Sequence, residues 1–231
     1  MQQPRHPSSM SKIAQQCLTA LADAALGEVV SLGGALGLSY YCDYRTTHDV
    51  DAWWETDATG AQQREVIGTI TQVLAAFGPT RERQWGDVTS VELREGNKTV
   101  FSFQIAQRSA RIDVGIRAPD TGVLLDSLED LVASKMVALV ERGAPRDFRD
   151  IHQVCTAGLL TPSTCWQLWR KRQLLAGADV DRARAKLAIE THLSRIAQYR
   201  PLALIADSTQ RQEAEGLRNW FGEVFLHADD T

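Results

Sequence analysis

The 231-residue sequence predicts an α+β protein: a mixed sheet flanked by helices, followed by a C-terminal helical bundle. Three observations lead there. Short β-rich runs, some strictly alternating, occur between residues 28 and 116. From residue 127 onward apolar residues recur at helical spacing, punctuated by Gly143, Gly158, Gly177 and Pro201. Between the two patterns lies the turn Pro119-Asp120-Thr121-Gly122. We therefore expect a sheet domain over 1–122 and a helical domain over 123–231.

Composition sets the outer bounds. At 44% apolar and 23% charged residues the chain is ordinary globular protein, which excludes disorder, collagen and coiled coil as descriptions of the whole. No apolar run approaches the ~18 residues of a membrane span. The opening Met1 to Ser11 is polar, with Pro4 and Pro7, and lacks the apolar core of a signal peptide. A cytoplasmic protein without a membrane partner is expected. Four cysteines, Cys17, Cys42, Cys155 and Cys165, form no CxxC pair and read as buried thiols. His152 and Cys155 share a helical spacing, but two further metal ligands are missing. The net charge of −4 hides an asymmetry, because residues 151–200 are net basic and the flanking regions acidic. A polyanion partner is one reading of that stretch and a solvated face the other.

The elements follow in order. Ser11 to Leu26 is a helix stopped by Gly27, and Glu28 to Leu32 a short strand ending at Gly33-Gly34. Ala35 to Cys42 forms a helix. Thr47 to Trp54 alternates around Val50 as a strand. Gln62 to Phe77 is a helix ended by Gly78-Pro79. Three strands are expected next: Val88 to Arg94, Thr99 to Ala106 across the turn Glu95-Gly96-Asn97-Lys98, and Ala110 to Ile116. Helices over 127–142, 146–157, 163–176, 179–198 and 208–227 complete the chain.

Ser31 to Trp54 carries the most chemistry. A strand delivers Gly33-Gly34 to a helix start, where backbone can approach a phosphate closely and unpaired N–H groups favour an anion. Asp49 and Asp51, at i and i+2 on the next strand, point the same way while Val50 packs behind them. Two hard oxygen ligands on one face suit Mg²⁺. On the expected strand Arg111 to Arg117, Asp113 lies on the face opposite Ile112, Val114 and Ile116, and is a candidate third carboxylate. Three carboxylates holding Mg²⁺ against a triphosphate would serve in-line phosphoryl or nucleotidyl transfer. The bland alternative is a tight turn beside a solvated acidic face.

Gly33-Gly34 followed by Arg45-Thr46-Thr47-His48-Asp49-Val50-Asp51 resembles motif I of the nucleotidyltransferase superfamily, and in particular the AbiEii/AbiGii-type (MenT-like) toxins of type IV toxin–antitoxin systems. The stretch from Leu128 to Ile151, with Lys135 and then Arg146-Asp147-Phe148-Arg149-Asp150, resembles that family's lysine helix and Arg-Asp-x-x-Asp helix. The resemblance covers residues 28–157. It implies a nucleotidyltransferase-like sheet and Mg²⁺-dependent transfer of NMP from an NTP, with pyrophosphate released. The implied acceptor is tRNA, and the implied partner a cognate antitoxin, in a toxin–antitoxin or phage-defence pair. It further implies that Gly33 and Gly34 contact the triphosphate, Asp49 and Asp51 bind Mg²⁺, Lys135 contacts phosphate, and Asp147 is a second essential acid. Lys135 and Asp147 would reach the nucleotide cleft from the helical domain. Two other functions share this logic: nucleotidylation of a small molecule such as an antibiotic, and a catalytically weak nucleotide-binding or antitoxin-like module.

Several residues keep two readings. Lys135 lies on or beside the apolar stripe of its helix, where it either meets an anion or snorkels to solvent. Asp147 and Asp150 serve chemistry, or cap the helix and form surface ion pairs. Arg45 is a candidate triphosphate ligand. His48 either touches phosphate or fills the other face of its strand. Trp53 or Trp54 stacks a base or packs. Trp166 and Trp169 read as core. Arg170, Lys171, Arg172, Arg182, Arg184 and Lys186 form a basic footprint that contacts RNA or faces solvent.

Overall fold

A computed structural model describes residues 3–229 of the chain. It divides into two compact units, Met1–Leu131 and Val132–Thr231.

The first unit is built on a seven-stranded mixed sheet. Its elements are helix α1 (Lys12–Asp23), β1 (Val30–Leu32), α2 (Gly34–Ser39), β2 (Asp49–Trp54), α3 (Gly60–Ala75), β3 (Thr80–Trp85), β4 (Val88–Glu95), β5 (Lys98–Ala106), β6 (Ile116–Arg117) and β7 (Leu124–Leu125). The strand order is β3-β4-β5-β2-β1-β7-β6. The β2 strand runs parallel to β5 and antiparallel to β1, with Asp49 opposite Ser102 and Asp51 opposite Gln104.

Alternation on β2 decides which face is core. Val50, Ala52 and Trp54 are buried, whereas Asp49, Asp51 and Trp53 are half-buried on the other side. In register with the buried set lie Phe103, Ile105 and Val91, all buried as well. Helix α3 packs on β3 and β4 through a stripe of Val66, Ile70 and Leu74, and α1 packs on α3. Both helices start at side-chain caps. Ser11 accepts the Ala14 N–H at 3.1 Å, and Thr59 and Gln62 form a reciprocal capping box.

Two strands differ from expectation. The β3 strand, with the sequence TRERQW, is charged and exposed along its length because it is the sheet's outer edge; no buried face imprints an apolar period on it. Ala110 to Ile116 is not a strand; only Ile116 and Arg117 pair, with β7. The buried carboxylate of Asp130 takes the N–H groups of Ile112 at 2.8 Å and Asp113 at 2.9 Å, donors a sheet ladder would need. Arg111 bonds the Asp113 carbonyl at 2.8 Å and Glu55 at 2.6 Å, holding the segment as a loop.

Helix α4 (Leu128–Glu141) crosses from the first unit into the second. The second unit continues with α5 (Pro145–Thr156), α6 (Pro162–Leu175), α7 (Arg182–Tyr199), α8 (Ser208–Trp220) and a π-helical turn at Phe221–Phe225. Its core is aromatic. Phe148 meets Phe221 edge-on at 4.8 Å, and Trp166 lies 5.4 Å from Phe225 while its indole N–H donates to the Phe225 carbonyl. Trp166 and Trp169 are both buried, as core residues.

Candidate active site

The glycine turn and the paired aspartates are built as one piece. Gly33 caps α2, and its N–H donates to the Asp51 carbonyl at 2.8 Å, tying the turn to β2. Gly34 has φ +58°, a left-handed conformation that favours glycine. A β-carbon on Gly34 would strike the Asp51 carboxylate, with the Asp51 Cβ only 2.6 Å away, and one on Gly33 would lie 2.5 Å from the Trp53 indole nitrogen. The backbone of the turn therefore rests directly on the side chains of β2. As α2 begins here, the first N–H groups of its opening turn have no partner within the helix.

Asp49 and Asp51 share one face of β2, and Ser102 on β5 donates its hydroxyl to Asp49 Oδ1 at 2.7 Å. Two carboxylates, one oriented by a hydroxyl, form an all-oxygen donor set. That fits Mg²⁺, which commonly takes one or two protein carboxylates and fills its octahedron with water and substrate phosphates. Among the described residues no group of three or more His, Cys, Asp or Glu is gathered to hold a metal ion. Asp113 lies in the exposed loop, where its carboxylate accepts the Val114 N–H at 2.7 Å. The strand on which its assignment as third carboxylate rested is not formed, because Asp130 captures that backbone. The positions beside Asp49 and Asp51 on β5 are Ser102 and Gln104.

Arg45 and His48 lie in the loop leading into β2. Arg45 bonds the Tyr44 hydroxyl at 3.1 Å and lies over its ring; His48 is exposed. The loop is anchored by Asp43, whose carboxylate accepts the N–H groups of Ser8 and Ser9 and both their hydroxyls. Burial opposes ionisation of Asp43, but these hydrogen bonds outweigh it and hold its pKa below the usual carboxylate value.

A buried network that sequence reasoning missed lies on the same sheet face. Asp126 and Ser31 are almost fully buried, and both accept from Arg108, which grips Asp126 at 2.5 and 3.1 Å. The Arg108 guanidinium lies 5.6 Å from the Trp53 ring centre. Burial pushes Asp126 up, and the bonds from Arg108 offset only part of that. Nothing in the local pattern marks Arg108, because its partners are 18 and 77 residues away.

In the second unit, Lys135 Nζ lies 2.6 Å from Asp150 Oδ2, both buried. Asp147 is fully buried and accepts two hydrogen bonds from Arg142, each 2.9 Å, and one from the Ala144 N–H at 3.2 Å. It closes the corner between α4 and α5 as the N-terminal acid of α5. Of the two acids one turn apart, Asp150 is thus the partner of the lysine. The basic footprint is partly used inside this unit. Arg172 is buried, Arg182 bonds the Ala228 carbonyl, and Arg184 pairs with Asp179 at 3.1 Å.

The glycine turn thus rests on a strand that presents two aspartates on one face. Residues 16–220 match the family model for the nucleotidyl transferase AbiEii toxin of type IV toxin–antitoxin systems, and the chain belongs to that family. No curated protein matches it. Among solved structures it is similar to the antibiotic-resistance factor ANT(2'')-Ia, with 11% identity over 81% of this chain and 92% of that one and a TM-score of 0.45. It is also similar to an antigenic nucleotidyltransferase-like protein from Paracoccidioides brasiliensis (15% identity, 89% and 94% covered, TM-score 0.38). A third is CdnC of E. coli MS115-1, solved with ATP (12% identity, 81% and 63% covered, TM-score 0.30). No described helix is long and apolar enough to cross a membrane.

Proposed function

We propose that the chain moves a nucleoside monophosphate from an NTP to tRNA, dependent on Mg²⁺, as the toxin of a toxin–antitoxin or phage-defence pair. The observation that carries this reading is the seating of Gly34 on Asp51. It brings backbone able to cradle phosphate and carboxylates able to hold a divalent cation to the same point.

The residues divide the work. Asp49, oriented by Ser102, and Asp51 would hold Mg²⁺. When bound, the ion polarises the phosphate, favours ionisation of the attacking hydroxyl and offsets charge on the leaving pyrophosphate. Gly33 and Gly34 let the triphosphate approach the backbone, with the Gly33 N–H held by the Asp51 carbonyl and the opening N–H groups of α2 from Gly34 onward facing the phosphates, and Arg45 and His48 contribute from the loop leading into β2. Lys135 is assigned to phosphate charge, on the strength of the family. Its pairing with Asp150 makes Asp150 our choice for the second acid, with Asp147 as the residue that shapes the corner. The antitoxin partner is carried by the family, and a cytoplasmic location by the sequence pattern.

The test is incubation of the purified protein with each α-labelled NTP, Mg²⁺ and total tRNA. Label on tRNA that disappears in Asp49→Ala and Asp51→Ala, and on chelation, is expected. In a parallel reaction with an aminoglycoside in place of tRNA, label on the aminoglycoside with none on tRNA would reassign the acceptor to a small molecule. No transfer from any NTP would leave a binding module.

A further inference from the structure

One pair of nucleophilic side chains stands outside the site described above. Cys155, near the end of α5, and Cys165, in the first half of α6, place their Sγ atoms 3.8 Å apart, in mutual hydrogen-bonding contact. Cys165 is fully buried, whereas Cys155 is partly open to solvent. The other two cysteines, Cys17 and Cys42, lie in the first unit.

We propose that Cys155 and Cys165 are a redox modification site, in which a hydroperoxide oxidises the pair to an intramolecular disulfide. The arrangement separates the two roles such a reaction needs. The open thiol is the one an oxidant can reach, and the covered thiol is the one positioned to resolve it. Cys155 gives up its proton and, as thiolate, attacks one oxygen of hydrogen peroxide to become a sulfenic acid, while the O–O bond breaks and the departing hydroxide takes up that proton and leaves as water. The Cys165 sulfur then attacks the sulfenic sulfur. The S–S bond forms, the S–O bond breaks, and the hydroxide released takes up the Cys165 proton as a second water. The sum is two thiols and one hydrogen peroxide giving one disulfide and two waters, a two-electron oxidation of the protein. Sulfur atoms in van der Waals contact need about 1 Å of approach each to bond, a distance of the order that side-chain rotation about χ1 covers. The hydrogen bond with Cys155 and burial both push the Cys165 thiol up, which keeps it protonated until the sulfenic acid forms beside it. In a reducing compartment such a bond would be transient, as regulatory disulfides are. It would fasten the last turn of α5, the helix that carries Asp147 and Asp150, to α6.

The experiment treats the full-length native protein with hydrogen peroxide, blocks remaining thiols with a maleimide in denaturant, and reads intact mass and a non-reduced peptide map. A loss of two mass units, two of four thiols protected and a Cys155–Cys165 cross-linked peptide, all reversed by dithiothreitol, are expected. Cys165→Ser should leave Cys155 as a sulfenic acid that dimedone captures. Cys155→Ser should leave Cys165 unreacted over the same exposure, and Cys155→Ala repeats that arm should the serine variant fail to fold. A disulfide to Cys17 or Cys42, a cross-linked dimer, direct passage of Cys155 to sulfinic acid in the wild type, or four free thiols after treatment would each overturn the proposal. None of these readouts depends on nucleotide transfer.

Discussion

Gly34 and Asp51 occupy adjoining space: a β-carbon on the first would collide with the carboxylate of the second. The glycine turn and the DxD strand are therefore one structural unit, and changing either disturbs the other.

Gly34→Ala is expected to abolish transfer. The left-handed backbone alone costs an L-residue about 1–2 kcal/mol, and the new methyl displaces the carboxylate that would hold the cation. Thermal unfolding and NTP-dependent labelling on one preparation check both effects. Wild-type activity in a folded Gly34→Ala protein would dissociate the turn from the chemistry.

Lys135 and Asp150 form a buried ion pair, so the two substitutions are not independent. Lys135→Ala takes a cation away from a buried carboxylate and should destabilise the fold. The double substitution Lys135→Met with Asp150→Leu should recover most of that stability while remaining inactive. Denaturant melts and tRNA labelling separate the two roles; an active double variant would reduce the pair to scaffolding.

Asp147 and Asp150 should behave differently although both are fully buried. Asp147→Asn retains hydrogen-bond acceptance at the α4–α5 corner and should keep measurable transfer. Asp150→Asn removes the charge facing Lys135 and should lose it. Arg142→Ala, which leaves Asp147 with the Ala144 N–H, is expected to cost about 1–3 kcal/mol. Equal inactivation by the two asparagine variants, without loss of stability, would place Asp147 in the chemistry.

His152 packs edge-on against Trp220 at 4.9 Å, and burial holds its pKa below the ordinary 6.5. A base that ionises less readily when folded stabilises fully above its unfolded pKa, and that contribution drains as pH falls from there through the lower folded value. Urea midpoints should fall between pH 7 and pH 5 more steeply in the wild type than in His152→Gln. Parallel curves would exclude His152 as the source.

How far the sequence speaks depends on whether a residue's surroundings are local. The period of two at Asp49 to Trp54 exposes the carboxylates and buries Val50 in the structure, because that strand has one core face. Thr80 to Trp85, exposed along nearly its whole length, carries no such imprint, and its pattern does not predict a strand. Arg111 to Arg117 alternates cleanly yet is mostly loop, since Asp130 reaches across from α4 to claim its amides. Asp147 and Asp150 are one helical turn apart, and only the fold shows which of them meets Lys135. Arg108, Ser31 and Asp126 are joined by tertiary contact alone, beyond the reach of any spacing rule.

The sheet terminates in two dissimilar strands: one of two residues, and one bearing Arg81, Glu82 and Arg83 with Arg83 stacked over Trp85. A foreign backbone seeking to extend the ladder would find too little length on one side and would have to desolvate fixed charge on the other. Protection from runaway self-assembly is thus written into its two margins, while Asp49 and Asp51 lie on an interior strand that no foreign backbone can reach.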